Sequence, residues 1–297
     1  MMGANGQLKK FLKNMEDKFI TSTKPTWCPG CGNFGIWLAL KNALTKLAIP
    51  REQVVIVYGV GCHGNMRDWM HVYGVQGLHG RAIPFAQGMK LANTNLHVIV
   101  VSGDGDCLGE GGNHFIHAAK RNPNITVLVH NNEVYGLTAG QASPTAQIGF
   151  LTKSTPSGVV DPPFNPSTLA ILSGGTFAAR GFAGDIVGLT DLIHRAISHK
   201  GFSVVDGLQP CVTFDKVHTY DWYSKRVQKV SINEEKLRDR LAAIEIARQW
   251  GDTIPLGVFF QTNLPTSEER EISLENVPLY LRPIPVAEVQ KTILQFT

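Results

Sequence analysis

Three short apolar runs, each ending in a glycine-rich turn, constrain this chain more than anything else in it. VVIVY at 54–58 runs into GVGCHG, HVIVV at 97–101 into SGDGDCLGEGG, and ITVLVH at 125–130 into NNEVYG. Apolar runs without polar alternation are strands buried on both faces, which is the mark of a parallel sheet with helices above and below. Helical periodicity at 34–47, 111–121 and near 185–199, with further strands expected at 174–179 and 202–206, completes an α/β reading with a mostly parallel sheet. In such sheets ligands sit beyond the carboxyl ends of the strands. The three unusual turns all fall there.

The rest of the chain is less patterned. A Lys-rich amphipathic helix is expected over 7–19, a Pro/Gly loop over 21–33, and a long irregular loop over 151–168. One amphipathic helix is expected over 232–250, then a Pro-punctuated tail. The boundaries expected are a main domain over 1–228 and a C-terminal extension over 229–297 that contacts another subunit. The net charge of +4 on 297 residues gives no basic stripe and no case for nucleic acid. No apolar run is long enough to cross a bilayer, and the N-terminus lacks the apolar centre of a signal peptide. A cytoplasmic location is the expectation. Only 18% of residues are charged, against about 25% in ordinary soluble proteins, which points to a surface covered by a partner.

Gly103-Asp104-Gly105 follows one strand, and Asn131-Asn132 follows the next. Mg²⁺ prefers hard oxygen ligands. Asp104 offers a carboxylate, Asn132 an amide oxygen and Val134 a backbone carbonyl. The glycines let turn N–H groups approach a diphosphate. GDG and NN at this interval are the pattern of thiamine diphosphate enzymes. Gly59-x-Gly61-x-x-Gly64 formally matches a dinucleotide fingerprint. That fingerprint also needs an acidic residue about 20 positions on, and no Asp or Glu stands between Asp68 and Asp104.

Five cysteines cannot all pair within one chain. Cys28 and Cys31 form a CxxC in a Gly/Pro loop, Cys62 lies in the first turn, Cys107 follows GDGD, and Cys211 follows the last strand. Spacing alone leaves redox, zinc and iron–sulfur readings open.

TWCPGCGNFGI, GVGCHGN, GLHGRAIPFAQGMKLAN, GDGDCLGEGGNHFIHAAKRN and NNEVYGLTAGQASPT together resemble the beta subunit of 2-oxoacid:ferredoxin oxidoreductases. The likeness extends through GLQPCVTFDK to ARQWGDTIPLGVFF. It implies a thiamine diphosphate-binding fold and CoA-dependent oxidative decarboxylation of a 2-oxoacid, with electrons passed to ferredoxin. It implies a [4Fe-4S] cluster on Cys28, Cys31, Cys62 and Cys211, leaving Cys107 over, and Mg²⁺ on Asp104, Asn132 and the Val134 carbonyl. Val60, Gly61, Cys62, His63, His79, Gly80, Gly105, Asp106, Tyr135, Gly136, Leu137 and Thr138 are implied around the thiamine diphosphate, with His63, Asn65 and Leu137 nearest the chemistry. The family draws its catalytic glutamate from an alpha subunit. This chain has no obvious candidate, since Glu110 and Glu133 belong to phosphate-side turns, so an obligate partner is expected. Asn65 and Ala139 stand where some members carry cations, which leans away from 2-oxoglutarate. His114 and His117 are expected to pack or to act at second hand, and Arg81 to meet an anion or the surroundings of Asp104. The competing reading is an iron–sulfur module that has lost the thiamine chemistry.

Overall fold

In the computed structural model, which describes residues 18–233, 235–271, 277–283 and 285–296, helix α1 (Asn33–Leu47) leads into β1 (Val54–Tyr58). There follow β2 (Tyr73–Gln76), α2 (Ala82–Ala92), β3 (His97–Gly103), α3 (Gly112–Arg121) and β4 (Ile125–Asn131). A small hairpin of β5 (Val134–Tyr135) and β6 (Gln141–Ala142) precedes α4 (Pro166–Leu172), β7 (Phe177–Phe182), α5 (Ile186–Ser198) and β8 (Ser203–Leu208). The C-terminal part adds α6 (Tyr220–Ser224), β9 (Val227–Lys229), α7 (Arg240–Ala247), β10 (Ile254–Gln261), α8 (Ser267–Arg270) and α9 (Val286–Ile293).

The main sheet has eight strands in the order β2-β1-β3-β4-β8-β7-β10-β9. Every neighbouring pair is parallel except β10 against β7. Alternation along β1 divides the core. Val54, Ile56 and Tyr58 pack with residues of α1 and α5, while Val55 and Val57 pack with residues of α2 and α3. Both faces are therefore buried, which is why the run carries no polar residue. From β1 the chain moves outward to β2 and then returns to the other side of β1 with β3. That reversal opens a crevice at the carboxyl ends of β1 and β3. Gly103 is level with His130 and Asn131 with Leu208, so the ends of β3, β4 and β8 open onto the same edge.

An ion pair lies deep in the sheet. Arg180 on β7 and Asp206 on β8 are in register, 2.8 Å apart, and both side chains are fully buried. The guanidinium also donates to the Ala247 carbonyl and lies over the rings of Trp250 and Phe259. Asp206 accepts in turn from the Asn131 amide at 2.9 Å.

Several expectations change. The helix expected over 7–19 lies outside the described residues except for Lys18 and Phe19, which sit in a turn. The single helix expected over 232–250 is a 3-10 turn at Lys236–Arg238 followed by α7. Asp239 resets the chain between them, because its side chain accepts from the backbone N–H groups of Leu241 and Ala242 and caps a new helix. The tail contains β10, whose apolar run was obscured by Pro255 and Gly257. Gly257 has φ +145°, and the register shifts between Val258 and Phe260 where β10 meets β7. Only residues 151–165 of the expected long loop are irregular. Asn165 then caps α4 by accepting from Thr168 N–H at 2.9 Å, with Pro166 at its first position. Among the described residues no helix is long and apolar enough to cross a membrane.

Candidate active site

The turns after β1, β3 and β4 converge on one cleft. It is lined by Val60, Gly61, Cys62, His63, His79, Gly103, Asp104, Gly105, Asp106, Asn132, Val134, Tyr135, Gly136, Leu137, Thr138 and Gln209. Nearly all of the expected surround is thus brought together. Gly80 stands behind the wall, donating its N–H to Asp106. Asn65 is half-buried in the turn after Cys62 and is not part of the wall. The cavity itself encloses about 80 Å³, far below the ~300–1,000 Å³ of pockets that enclose a drug-sized ligand.

Asp104 is 1% exposed. Its Oδ2 accepts from Ser143 Oγ at 2.5 Å, from Thr145 Oγ1 at 2.6 Å and from the Glu133 N–H at 3.0 Å. Burial pushes the carboxyl up, and those donors oppose the rise. Among the described residues no Lys, Arg or His side chain forms an ion pair with it. A buried carboxylate held only by neutral donors suits a divalent cation, so the donor set fits Mg²⁺. Asn132 and Val134 share the turn with Glu133, whose φ of +61° places it in the left-handed region. Thr145 Oγ1 also lies 2.9 Å from Asn131 Oδ1, so the hydroxyl that serves Asp104 sits beside the amide that donates to Asp206.

Asp106 lines the cleft and also holds the turns around it. Its Oδ1 accepts from the N–H groups of Val60 and Gly80 and lies 2.6 Å from His79 Nδ1, and its Oδ2 accepts from Ser102 at 2.5 Å. It ties three turns together. Burial would raise its carboxyl, but the His63 ring and these donors hold it below the ordinary value. Gly80 is needed at φ +69°, and a Cβ there would meet the Glu110 carbonyl carbon at 2.5 Å. His63 is 5% exposed and its Nε2 accepts the Gly103 N–H at 3.0 Å. Burial lowers its pKa to about 4, opposed by Asp106, so the ring is neutral at pH 7.

The cysteines are all free thiols. Cys28, Cys31, Cys62 and Cys211 face one another. Burial raises Cys31 to about 11 and also raises Cys62, and the neighbouring thiols add to both shifts. A Cβ on Gly136 would lie 3.4 Å from Cys62 Sγ and 4.0 Å from Cys211 Sγ, so the thiol group abuts the cleft wall. Trp27, wedged against Trp69 and Phe34, donates its indole N–H to the Cys62 carbonyl at 2.7 Å and locks the CxxC loop to the first turn. Among the described residues no three Cys, His, Asp or Glu side chains come close enough to hold a single metal ion. Cys107 is 2% exposed and lies against Ser102, Asp104 and Asp106 rather than the other thiols.

Neither glutamate lines the cleft. Glu133 is buried beside His218, 3.7 Å from its Nδ1, and burial raises it to about 8, opposed by that ring. Glu110 accepts from the Tyr135 hydroxyl. Arg81 donates to the Glu110 carbonyl rather than reaching Asp104. His114 is half-buried and His117 exposed, so neither packs in the core. Sequence reasoning missed Ser143, Thr145 and Gln209. Their small polar side chains carry no metal or phosphate signature, although ASPT and LQPC lie within the stretches that carry the resemblance.

Comparison with known proteins is consistent with this geometry. Residues 59–207 match the family model "Thiamine pyrophosphate enzyme, C-terminal TPP binding domain", and residues 211–276 match the model for the C-terminal part of the pyruvate ferredoxin oxidoreductase beta subunit. The 2-oxoacid:ferredoxin oxidoreductase subunit beta of Saccharolobus solfataricus is 46% identical over 275 residues, covering 89% of this chain and 90% of that one. The 2-oxoglutarate oxidoreductase subunit KorB of Mycobacterium tuberculosis is 45% identical over 197 residues, covering 66% of this chain and 53% of its own. A solved 2-oxoglutarate:ferredoxin oxidoreductase from Magnetococcus marinus, with 2-oxoglutarate, coenzyme A and succinyl-CoA bound, superposes with a TM-score of 0.83 at 33% identity, over 94% of this chain and 90% of that one. With a match to the thiamine diphosphate-binding domain and this similarity along nearly its whole length, the chain belongs to the beta subunits of the 2-oxoacid:ferredoxin oxidoreductases.

Proposed function

We propose that this chain is half of an active site, with Mg²⁺ on Asp104, Asn132 and the Val134 carbonyl and a [4Fe-4S] cluster on Cys28, Cys31, Cys62 and Cys211. The observation that carries the reading is the shared wall. Cys62 and Gly136 line the diphosphate cleft and also adjoin the thiol group. Thiamine diphosphate supplies the carbanion chemistry that cleaves a 2-oxoacid, and the cluster a one-electron acceptor. The residues of this chain position and insulate. Asp104 and Asn132 place the diphosphate end, His63 stays neutral against the cleft, and Asp106 fixes the surrounding turns. Four neighbouring thiols from separate segments, set against the cleft wall, support a cluster that exchanges electrons with the cleft. The intact diphosphate turn supports an enzyme over a bare electron-transfer module.

The site needs a second polypeptide to complete it. The cleft is open, and Glu110 and Glu133 are both outside its wall. An alpha subunit supplies the glutamate, coenzyme A takes the acyl group, ferredoxin takes the electrons, and the complex works in the cytoplasm. The 229–297 part gives β10 to the main sheet and contacts another subunit through its C-terminal end, supported by the exposed Tyr280, Leu281, Val286, Ile293, Leu294 and Phe296. No Lys or Arg lines this wall, and Asn65 and Ala139 offer no charge for a second substrate carboxylate. A higher kcat/KM for pyruvate than for 2-oxoglutarate on the assembled complex is expected.

The test is anaerobic purification of the chain with and without its alpha subunit, with assay of iron, sulfide, thiamine and 2-oxoacid-dependent ferredoxin reduction. Iron and sulfide in the chain, with activity only in the complex, is the expected result. Full activity from the isolated chain refutes the half-site, and zinc in place of iron refutes the cluster.

A further inference from the structure

We infer that Gln209 electrostatically joins the cofactor cleft to the thiol group, its carboxamide N–H on Cys31 Sγ setting the potential at which a cluster held there accepts an electron. This rests on the cluster assignment above, and concerns a residue to which the resemblance gives no role.

The backbone fixes Gln209 first. It follows β8, and its N–H donates to the Asn131 carbonyl at 2.8 Å, extending the β4–β8 ladder by one step. The next carbonyl, Pro210 O, accepts the Gly32 N–H at 3.1 Å and so binds the strand end to the CxxC loop. Gly32 is bare where the side chain passes, and a Cβ there would meet Gln209 Cγ at 2.6 Å. The side chain is thus threaded between the CxxC loop and the strand end, 2% exposed. It lines the cleft, and its Nε2 donates to Cys31 Sγ at 3.7 Å. Among the described cleft-lining side chains it alone donates a hydrogen bond to a cysteine sulfur.

A donor on a ligating sulfur withdraws electron density and stabilises the more negative, reduced state, which raises the reduction potential. The effect is stronger in a buried, low-dielectric place than at the surface. A built-in comparison exists. Thr213 Oγ1 donates to Cys28 Sγ at 3.1 Å, but both residues are exposed and water screens that bond. The shorter contact should therefore matter less than the longer one.

The test uses the assembled complex, with iron content and an EPR-monitored redox titration of the cluster. Gln209→Met removes the donor and keeps the bulk. Its cluster should be about tenfold harder to reduce at the wild-type midpoint, a downward shift of about 59 mV for one electron. Gln209→Glu keeps the shape and replaces the donor with a carboxylate, so its midpoint should fall further. Thr213→Val should move it less than either. If Gln209→Met fails to assemble, Gln209→Glu decides alone. A variant with full iron content and a wild-type midpoint overturns the inference, as does a Thr213→Val shift larger than that of the Gln209 variants. Absence of a four-iron cluster from the wild-type complex overturns the underlying cluster assignment instead, so the two failures are distinct.

Discussion

Thr145→Val asks whether the Asp104 carboxylate is held in place for a cation. Thr145 Oγ1 lies 2.6 Å from Asp104 Oδ2 and 2.9 Å from Asn131 Oδ1. Valine keeps the shape and deletes the hydroxyl. A hydrogen bond to a charged group contributes about 1.5–3 kcal/mol. At about 1.4 kcal/mol per tenfold, the loss corresponds to roughly 10–150-fold in binding. Asp104 keeps the Ser143 hydroxyl and the Glu133 N–H, so the carboxylate turns rather than escapes. The lower part of that range is expected, matching the ~10–100-fold typical of residues that orient metal ligands. The assay is calorimetric titration of Mg²⁺ and thiamine diphosphate into the cofactor-free complex, with the iron–sulfur spectrum as a control for folding. Thr145→Ser should recover most of the affinity. A valine variant that folds, keeps its cluster and binds like wild type refutes the argument that this hydroxyl positions Asp104.

Other consequences follow from burial. Arg180→Met leaves Asp206 uncompensated in the sheet and should cost about 3–5 kcal/mol, read as a fall in the thermal midpoint of the complex. Replacing both partners by apolar residues should restore part of that loss. Cys107→Ser should leave the cluster spectrum unchanged, because that thiol lies apart from the other four. His199 is 5% exposed, 2.9 Å from Thr176 Oγ1, and burial lowers its pKa from 6.5 to about 4. The unfolded chain takes up this proton near pH 6.5 and the folded chain only near pH 4. Its part in stability is therefore full above pH 6.5 and falls as pH drops towards 4, by on the order of 3 kcal/mol in all. His199→Asn should flatten that limb of a stability–pH curve, and an unchanged limb counts against the assignment.

Legibility varied along the chain for physical reasons. Strands β1, β3 and β4 were readable because burial on both faces leaves a mostly apolar run with no polar alternation. β10 was not, because Pro255 and Gly257 interrupt it and its identity as a strand depends on pairing with β7. The helix break at Asp239 was readable only in part. An Asp inside a helical pattern is common, and its capping bonds appear once the chain has turned. In the site, Asp104 and Asn132 were candidates because GDG and NN stand after successive strands at a characteristic interval, whereas the set of four cysteines came from the resemblance, their spacing alone leaving several readings open. Ser143, Thr145 and Gln209 carry no such spacing. A hydroxyl or amide acquires a role only from what it touches.

The sequence by itself determined the layered α/β arrangement, the edge at which the glycine-rich turns collect, and the candidate groups for diphosphate and metal. Those are local properties, set by apolar periodicity, glycine at strand ends and ligand chemistry. Tertiary structure decided that the CxxC loop, the first turn and the end of β8 meet beside the cleft, and that Asn65 stays behind its wall. It also decided that Asp106 ties turns together and that Gln209 bridges cleft and thiols. These are contacts between residues as far apart in sequence as Cys31 and Gln209. Such contacts are created by the order of strands in the sheet, which no single segment encodes.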